Sequence, residues 1–253
     1  MKRLLITICG RAGSKGFRNK NLKTFCDKPL VYYTLSAAML FKAKRSDVAV
    51  DICLNTDSAL LVELVKAKYP EVTYIQREAA LSGDTVPKMA VFQQSLREME
   101  NKTGKQYNYV MDLDITSPLR TAKDVQNAFE EKEKRPDLDL VFSVTESRRN
   151  PYFNMVKKVG DHVEKVIFSP FTARQQAPEI YDLNASIYVF ERKFLAENKT
   201  GILWDGKIGV TKMMDTGILD IDSEEDFRLM EVIAKHLYEQ YPDFAAVRNS
   251  MRK

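Results

Sequence analysis

The stretch LLITICGRAGSKGFRNKNLKTFCDKPL, residues 4–30, decides the fold. Its first six residues are an apolar run rich in branched side chains, which predicts a strand buried on both faces. A glycine-rich basic loop follows, and Pro29 can occupy the first turn of a helix whose Val31, Leu35, Ala38 and Met39 share one face. Strand, glycine loop and helix in this order form the place where doubly wound folds hold nucleotide phosphates. Gly10, Gly13 and Gly16 let the backbone turn at positive φ and bring amide N–H groups toward an anion. Arg11 can fork two phosphate oxygens, while Lys15 and Lys20 supply point charges. The loop lacks both the Gly-Lys-Ser/Thr of a Walker loop and the Gly-x-Gly-x-x-Gly of a dinucleotide fold, which argues against P-loop ATPases and nicotinamide enzymes. A solvated basic turn is the competing reading.

Outward from this unit, strands are expected at Val48 to Leu54, Val72 to Ile75, Tyr109 to Leu113 and Leu138 to Val144. Asn55-Thr56-Asp57 is expected to cap a helix running to Tyr69, and further helices are expected near 87–100 and 121–134. Such alternation predicts an α/β, doubly wound, mostly parallel sheet of Rossmann-like type, with ligands at the carboxyl ends of the strands. The rhythm breaks at 146–183, where Pro151, Pro170 and Pro178 punctuate short alternating segments like antiparallel strands. Residues 1–145 and 184–253 therefore read as one nucleotide-binding domain with 146–183 inserted as an arm. Ala185 to Phe190 resumes strand character, and Phe227, Met230, Ala234, Leu237 and Tyr241 mark a closing amphipathic helix.

Composition sets the outer limits. The 253 residues are 44% hydrophobic and 29% charged, as in an ordinary globular domain. No apolar run approaches the 18 or more residues that span a bilayer, so no membrane partner is expected. Three cysteines, without Cys-x-x-Cys, suit reduced thiols rather than disulfides or structural zinc, and the strand that begins just after Met-Lys-Arg leaves no room for a signal peptide. A cytoplasmic protein is expected. Two histidines give little material for Ser-His-Asp chemistry. Residues 1–28 carry eight basic residues against Asp27 alone, a net +7, while the rest of the chain is net −3. Only Phe17 and Phe25 interleave with these charges, so a compact anion such as a triphosphate is favoured over nucleic acid.

Five ordered motifs, GRAGSKGFRNKNLK, ITSPLR, RNPYF, ARQQAPEIYDLNASIYVF and DIDSEEDF, resemble those of the acylneuraminate cytidylyltransferases, the CMP-sialic acid synthetase family, over about residues 3–234. The resemblance implies a reaction of CTP with an eight- or nine-carbon 2-keto-3-deoxy sugar acid, giving the CMP-sugar and pyrophosphate, in a magnesium-dependent homodimer. It implies that Arg11, Gly13, Ser14, Lys15 and Lys20 hold the triphosphate and Asn21 the nucleoside. Arg77, Asp84 and Val86 match the segment around the cytosine, although Arg77 read alone could be a surface ion pair. Asp114, Thr116, Ser117, Arg174, Tyr181 and Asn184 match the sugar site, with Arg174 on the sugar carboxylate; read alone, Arg174 in its Pro-bounded loop is better explained as a solvated charge. Runners-up are a CMP-Kdo synthetase-like enzyme, another nucleotidyltransferase, or a non-catalytic nucleotide-sugar binder.

Asp220-Ile221-Asp222 has period two, which in a strand would put both carboxylates on one face. Hard oxygens completed by phosphate and water suit magnesium, but Asp222, Ser223 and Asp226 could equally cap the last helix. The resemblance assigns Asp220 and Asp222 to the metal and catalysis, with Arg11 and Lys15 on the leaving pyrophosphate. It also implies that 146–183 is a dimerisation element, and the apolar Phe153, Val156, Ile167, Phe168 and Phe171 point independently to self-association. Three positions depart from the family pattern. Asp114-Ile115 stands for Gln-Pro, Asn184-Ala185 for Asn-Gly, and Lys88 for a small hydroxyl residue near the base. An ionised Asp114 only accepts hydrogen bonds, so it is expected either to favour a sugar with a hydroxyl, amine or amidine in place of an acetamide, or to bind the metal.

Overall fold

The computed structural model describes residues 1–253 apart from 14–16, 84, 219 and 253, so Ser14, Lys15, Gly16 and Asp84 lie outside the described residues. In chain order the strands are β1 (Lys2–Cys9), the two-residue β2 (Thr24–Phe25) and β3 (Lys28–Pro29), β4 (Val48–Thr56), β5 (Thr73–Gln76), β6 (Tyr109–Leu113), β7 (Leu140–Glu146), β8 (Val156–Val159), β9 (His162–Lys165), β10 (Tyr181–Glu191) and β11 (Ile208–Lys212). The helices are α1 (Leu30–Lys44), α2 (Ala59–Lys68), α3 (Lys88–Thr103), α4 (Ala122–Lys134), α5 (Arg192–Glu197), α6 (Glu224–Gln240) and α7 (Pro242–Asn249).

Seven strands form one sheet in the order β11-β7-β10-β6-β1-β4-β5. All run parallel except β10, which is antiparallel to both β6 and β7. Leu4, Leu5, Ile6 and Ile8 of β1 are fully buried, because helices cover both faces of the sheet. The mostly parallel α/β sheet expected from the alternation is the one observed.

Local chemistry accounts for most boundaries. Thr121 and Asp124 close a capping box at the start of α4, and Ser223 and Asp226 close another at α6. Gly104, at φ 66°, ends α3 in the left-handed region. At α2 the expected cap is corrected. Asn55 and Thr56 complete β4, and Ser58 is the N-cap, its Oγ accepting from Leu61 N at 3.3 Å. The one-sided reading of α1 is corrected too. Every residue from Leu30 to Ala38 is buried, since α4 and α7 pack on the helix away from the sheet and Ser36 Oγ donates to Val247 O at 2.6 Å.

In the 146–183 segment, β8 and β9 pair antiparallel as an exposed hairpin. Val156 and Val163 are exposed, and Phe168 presents 94% of its surface to solvent. The segment rejoins the sheet through an irregular β10, whose register with β7 shifts between Leu183 and Tyr188. Within that shift Ala185 adopts φ 52°, a left-handed conformation at the position where the family motif carries glycine.

Candidate active site

A cleft of about 320 Å³ opens at the carboxyl ends of β1 and β6. Its shape begins with Gly10, where a Cβ would come within 2.8 Å of Ile115 and 2.9 Å of Leu61. Gly10 therefore serves close approach, and of the loop glycines Gly13 is the one at positive φ (70°); Gly16 is not described. Asp57 Oδ1 accepts Ala12 N at 2.7 Å and anchors the loop to the end of β4.

Cations line the cleft. Arg11, Lys20 and Arg77 face the cleft together with Asn21, whose Nδ2 donates to Arg11 O at 3.2 Å. Arg77 is buried, which excludes the surface ion pair. Its Nε and Nη2 donate to Asn55 Oδ1 and Asn55 O at 2.9 and 3.0 Å. Asn55 in turn donates to Gln94 and Ser95 of α3, so the arginine sits on a rigid amide network. Lys20 Nζ donates to Ile221 O at 2.6 Å and Asp222 Oδ1 at 3.0 Å, tying the glycine-rich loop to the acidic segment.

Carboxylates form the floor. Asp112 is buried at the end of β6 and accepts Thr7 Oγ1 at 2.7 Å; burial, helped by the charge of Asp114, pushes its carboxyl up to about 6. Asp114 Oδ1 accepts Thr116 N at 2.9 Å and Thr116 Oγ1 at 2.7 Å, and its Oδ2 accepts Lys88 Nζ at 2.6 Å. Burial alone would raise Asp114, but the charge and hydrogen bond of Lys88 outweigh it and hold the carboxyl well below its usual range. The charge of Asp114 holds the ammonium of Lys88 above its ordinary value. Asp220 is raised by burial and then by the charge of Asp114, and its Oδ1 is buried with no hydrogen-bond partner. Cys9 also lines the cleft, but burial and the neighbouring Asp112 push its thiol up, so it is no thiolate nucleophile.

Beneath the floor, fully buried Arg120 donates to Asp114 O (3.2 Å), Thr34 Oγ1 (2.9 Å), Ser186 O (2.8 Å) and Ser186 Oγ (3.0 Å). Burial lowers its pKa to about 10, a shift opposed by Asp114 and Asp112.

Asp220-Ile221-Asp222 does not form a strand. The bonds from Ile221 N to Thr116 O (3.1 Å), from Lys20 Nζ to Ile221 O and from Asp222 N to Asp226 Oδ2 (3.2 Å) hold it as an irregular segment before α6. With no ladder to impose period two, Asp220 is half-buried in the cleft while the Asp222 side chain is 79% exposed. The helix cap belongs to Ser223 and Asp226, and the Asp222 carboxylate is left to Lys20.

The structure thus gathers Arg11, Lys20, Asn21, Arg77, Val86, Asp114, Thr116, Asp220 and Asp222 around one cleft. It does not bring all the expected residues there. Ser117 is buried beside Thr116 without lining the cleft. Asn184 Oδ1 accepts Ser143 Oγ at 2.6 Å and Ser186 N at 3.2 Å, so it fixes the β10 irregularity. Tyr181 lies under Lys212, 4.8 Å from ring centroid to Nζ, and Arg174 is exposed on the 146–183 segment with a hydrogen bond to Ser147 O. Lys88 was expected only near the base, as a departure from the family pattern, and Asp112, Asn55 and Arg120 were not assigned to the site by their sequence positions. The Asp112-Leu113-Asp114 alternation carries the same period-two signal as Asp220 to Asp222, and it alone could have pointed to Asp112.

Comparison with known proteins bears on this geometry. Residues 5–240 match the family model described as cytidylyltransferase. The chain is 35% identical to post-translational flagellin modification protein B of Campylobacter coli, over 96% of this chain and 100% of the relative. It is 34% identical to CMP-N,N'-diacetyllegionaminic acid synthase of Campylobacter jejuni subsp. jejuni serotype O:2, over 92% of this chain and 95% of that protein. Among solved structures, CMP:2-keto-3-deoxy-manno-octonic acid synthetase complexed with CTP superposes with a TM-score of 0.63, covering 94% of this chain and 100% of that one at 16% identity, a likeness of fold. A match over nearly the whole chain, on a sheet that carries the cleft where the motifs converge, makes this protein a member of the cytidylyltransferase family.

Proposed function

We propose that the cleft activates a nonulosonic, sialic-acid-like sugar acid with CTP, giving the CMP-sugar and pyrophosphate. The observation that carries this reading is the convergence of Arg11, Lys20 and Arg77 with the carboxylates of Asp114 and Asp220 on one cleft. The named activity of the legionaminic acid relative supports the sugar class. Arg11 and Lys20, with Lys15 of the same loop, receive the triphosphate and take up the charge of the departing pyrophosphate. Arg77, fixed on Asn55, and Val86 line the nucleoside side. Because displacement at phosphorus needs positioning and charge more than a covalent intermediate, the protonated Cys9 and the scarcity of histidine are no obstacle.

The residues fit a magnesium ion. Asp220 Oδ1 is a hard, buried oxygen that the protein leaves without a hydrogen bond. Asp220 and Asp222 would hold the ion, and among the described residues no three His, Cys, Asp or Glu side chains converge on one point, so substrate oxygens and water complete the set. An ion held there would supply charge to polarise the reacting phosphate and lower the pKa of the attacking hydroxyl.

The exposed Phe168, Val156 and Val163 support a homodimer built through 146–183, in which Arg174 reaches the partner's sugar site. Among the described residues no helix is long and apolar enough to cross a membrane. A pyrophosphate-release assay over four nucleoside triphosphates and a panel of keto-sugar acids tests the reading. Turnover with CTP and a nonulosonic acid is expected. Equal turnover with ATP, or none with any sugar acid, overturns it. Sedimentation is expected to give a dimer, and a monomer at working concentration removes the arm's assigned role.

A further inference from the structure

Lys88 begins α3 directly after Pro87, so the helix start is set by proline and not by a side-chain cap, and the lysine is free of any capping role. Its ammonium instead donates to Asp114 Oδ2 at 2.6 Å and stands 5.8 Å from the ring centroid of Tyr188. The Lys88 side chain remains 51% exposed, whereas Asp114 is 15% exposed. Both oxygens of Asp114 are engaged, Oδ1 by Thr116 and Oδ2 by Lys88. The ammonium has three N–H donors and gives one to Asp114, so the group that the pair turns toward a ligand is a donor with positive charge.

We propose that Lys88, positioned by Asp114, is a substrate-contacting residue that selects the sugar acid through an oxygen acceptor such as an acyl carbonyl and disfavours a cationic substituent at that point. This reverses the preference expected of a lone Asp114, because the cation that the carboxylate attracts is supplied by the chain itself. The proposal rests on the cytidylyltransferase reading of the cleft. Asp114 acts as a positioning residue. It anchors the ammonium at one point, so less side-chain freedom is lost when a ligand takes the remaining donors.

The experiment compares wild type, Lys88→Met and Asp114→Asn in pyrophosphate release at pH 7 with CTP. The two substrates are an N-acetylated nonulosonic acid and its free-amine counterpart. Wild-type turnover of the acetylated acid establishes the underlying reaction, and its failure counts against that reading alone. Given turnover, wild type is expected to disfavour the amine by about 10-fold or more in kcat/KM, and Lys88→Met to narrow that ratio to within about 3-fold, since a fixed charge discriminates by repulsion as well as attraction. In Lys88→Met the KM for the acetylated acid should rise about 10-fold with the KM for CTP within about 2-fold of wild type, the signature of lost binding to one substrate. Asp114→Asn, which keeps the acceptor for Thr116 but weakens the anchor, should shift the same sugar KM by a smaller factor. An unchanged amine-to-acetyl ratio in Lys88→Met, or a rise confined to the KM for CTP, overturns the proposal.

Discussion

Lys88 and Asp114, 26 residues apart in sequence, form an ion pair lining the cleft, Nζ to Oδ2 at 2.6 Å. Two departures from the family pattern are therefore one feature. The lysine at the start of α3 and the aspartate just after β6 compensate each other's charge. Either change alone would leave a partly desolvated charge without its partner, which costs more than the pair contributes. Asp114 is consequently not a vacant acceptor waiting for a cationic sugar.

Asp112 makes stability pH-dependent. Its carboxyl is raised from 3.8 to about 6 by burial first and by Asp114 second. The folded state thus keeps a proton that the unfolded chain has released, and stability declines as pH rises through the window between those values. Asp112→Asn, which still accepts from Thr7, should remove that slope and stabilise the protein at pH 7 by roughly 1–3 kcal/mol, with little gain at pH 4. Urea melts at both pH values check this; parallel pH profiles for the two proteins would show that Asp112 ionises freely.

The acidic turn separates a cap from a ligand. Asp222→Asn leaves the Ser223–Asp226 box intact and should keep the melting temperature while lowering kcat/KM about 100-fold and weakening magnesium dependence. Ser223→Ala should do the opposite, losing about 1 kcal/mol of stability with magnesium dependence unchanged. Near-normal rate and magnesium response in Asp222→Asn would remove the metal assignment.

Arg120 joins the floor of the cleft to β10 and α1. Arg120→Met leaves Ser186 O, Thr34 Oγ1 and Asp114 O without this buried donor, and should cost about 3 kcal/mol or more. Lysine restores the charge but not the planar fork, so Arg120→Lys should recover only part of the loss. Denaturation midpoints decide it, and a lysine variant as stable as wild type would contradict the need for the fork.

Ala185 carries strain at φ 52°. Ala185→Gly should stabilise the fold by about 1 kcal/mol, because a Cβ in the left-handed region costs roughly that much, while Ala185→Val should destabilise it further. A glycine variant that melts below wild type would mean that chain entropy outweighs the relieved strain.

The sequence by itself determined the β1-loop-α1 unit, the alternation that makes the sheet mostly parallel, the break at residue 146, and the motifs that identify the family. Those features are local: apolar runs, glycine placement and caps act within a few residues of one another. Only the tertiary structure decided that β10 runs antiparallel between β6 and β7, that α7 buries the outer side of α1, that Asn55 belongs to Arg77 and not to a helix cap, and that Lys88 answers Asp114. Periodicity tells which face of an element is apolar, but not which other element covers it. Asp220 and Asp222 show the same limit. Their spacing suited a strand, and the missing ladder, invisible to a period-two pattern, left both carboxylates on the cleft, with Asp220 half-buried and Asp222 exposed against Lys20.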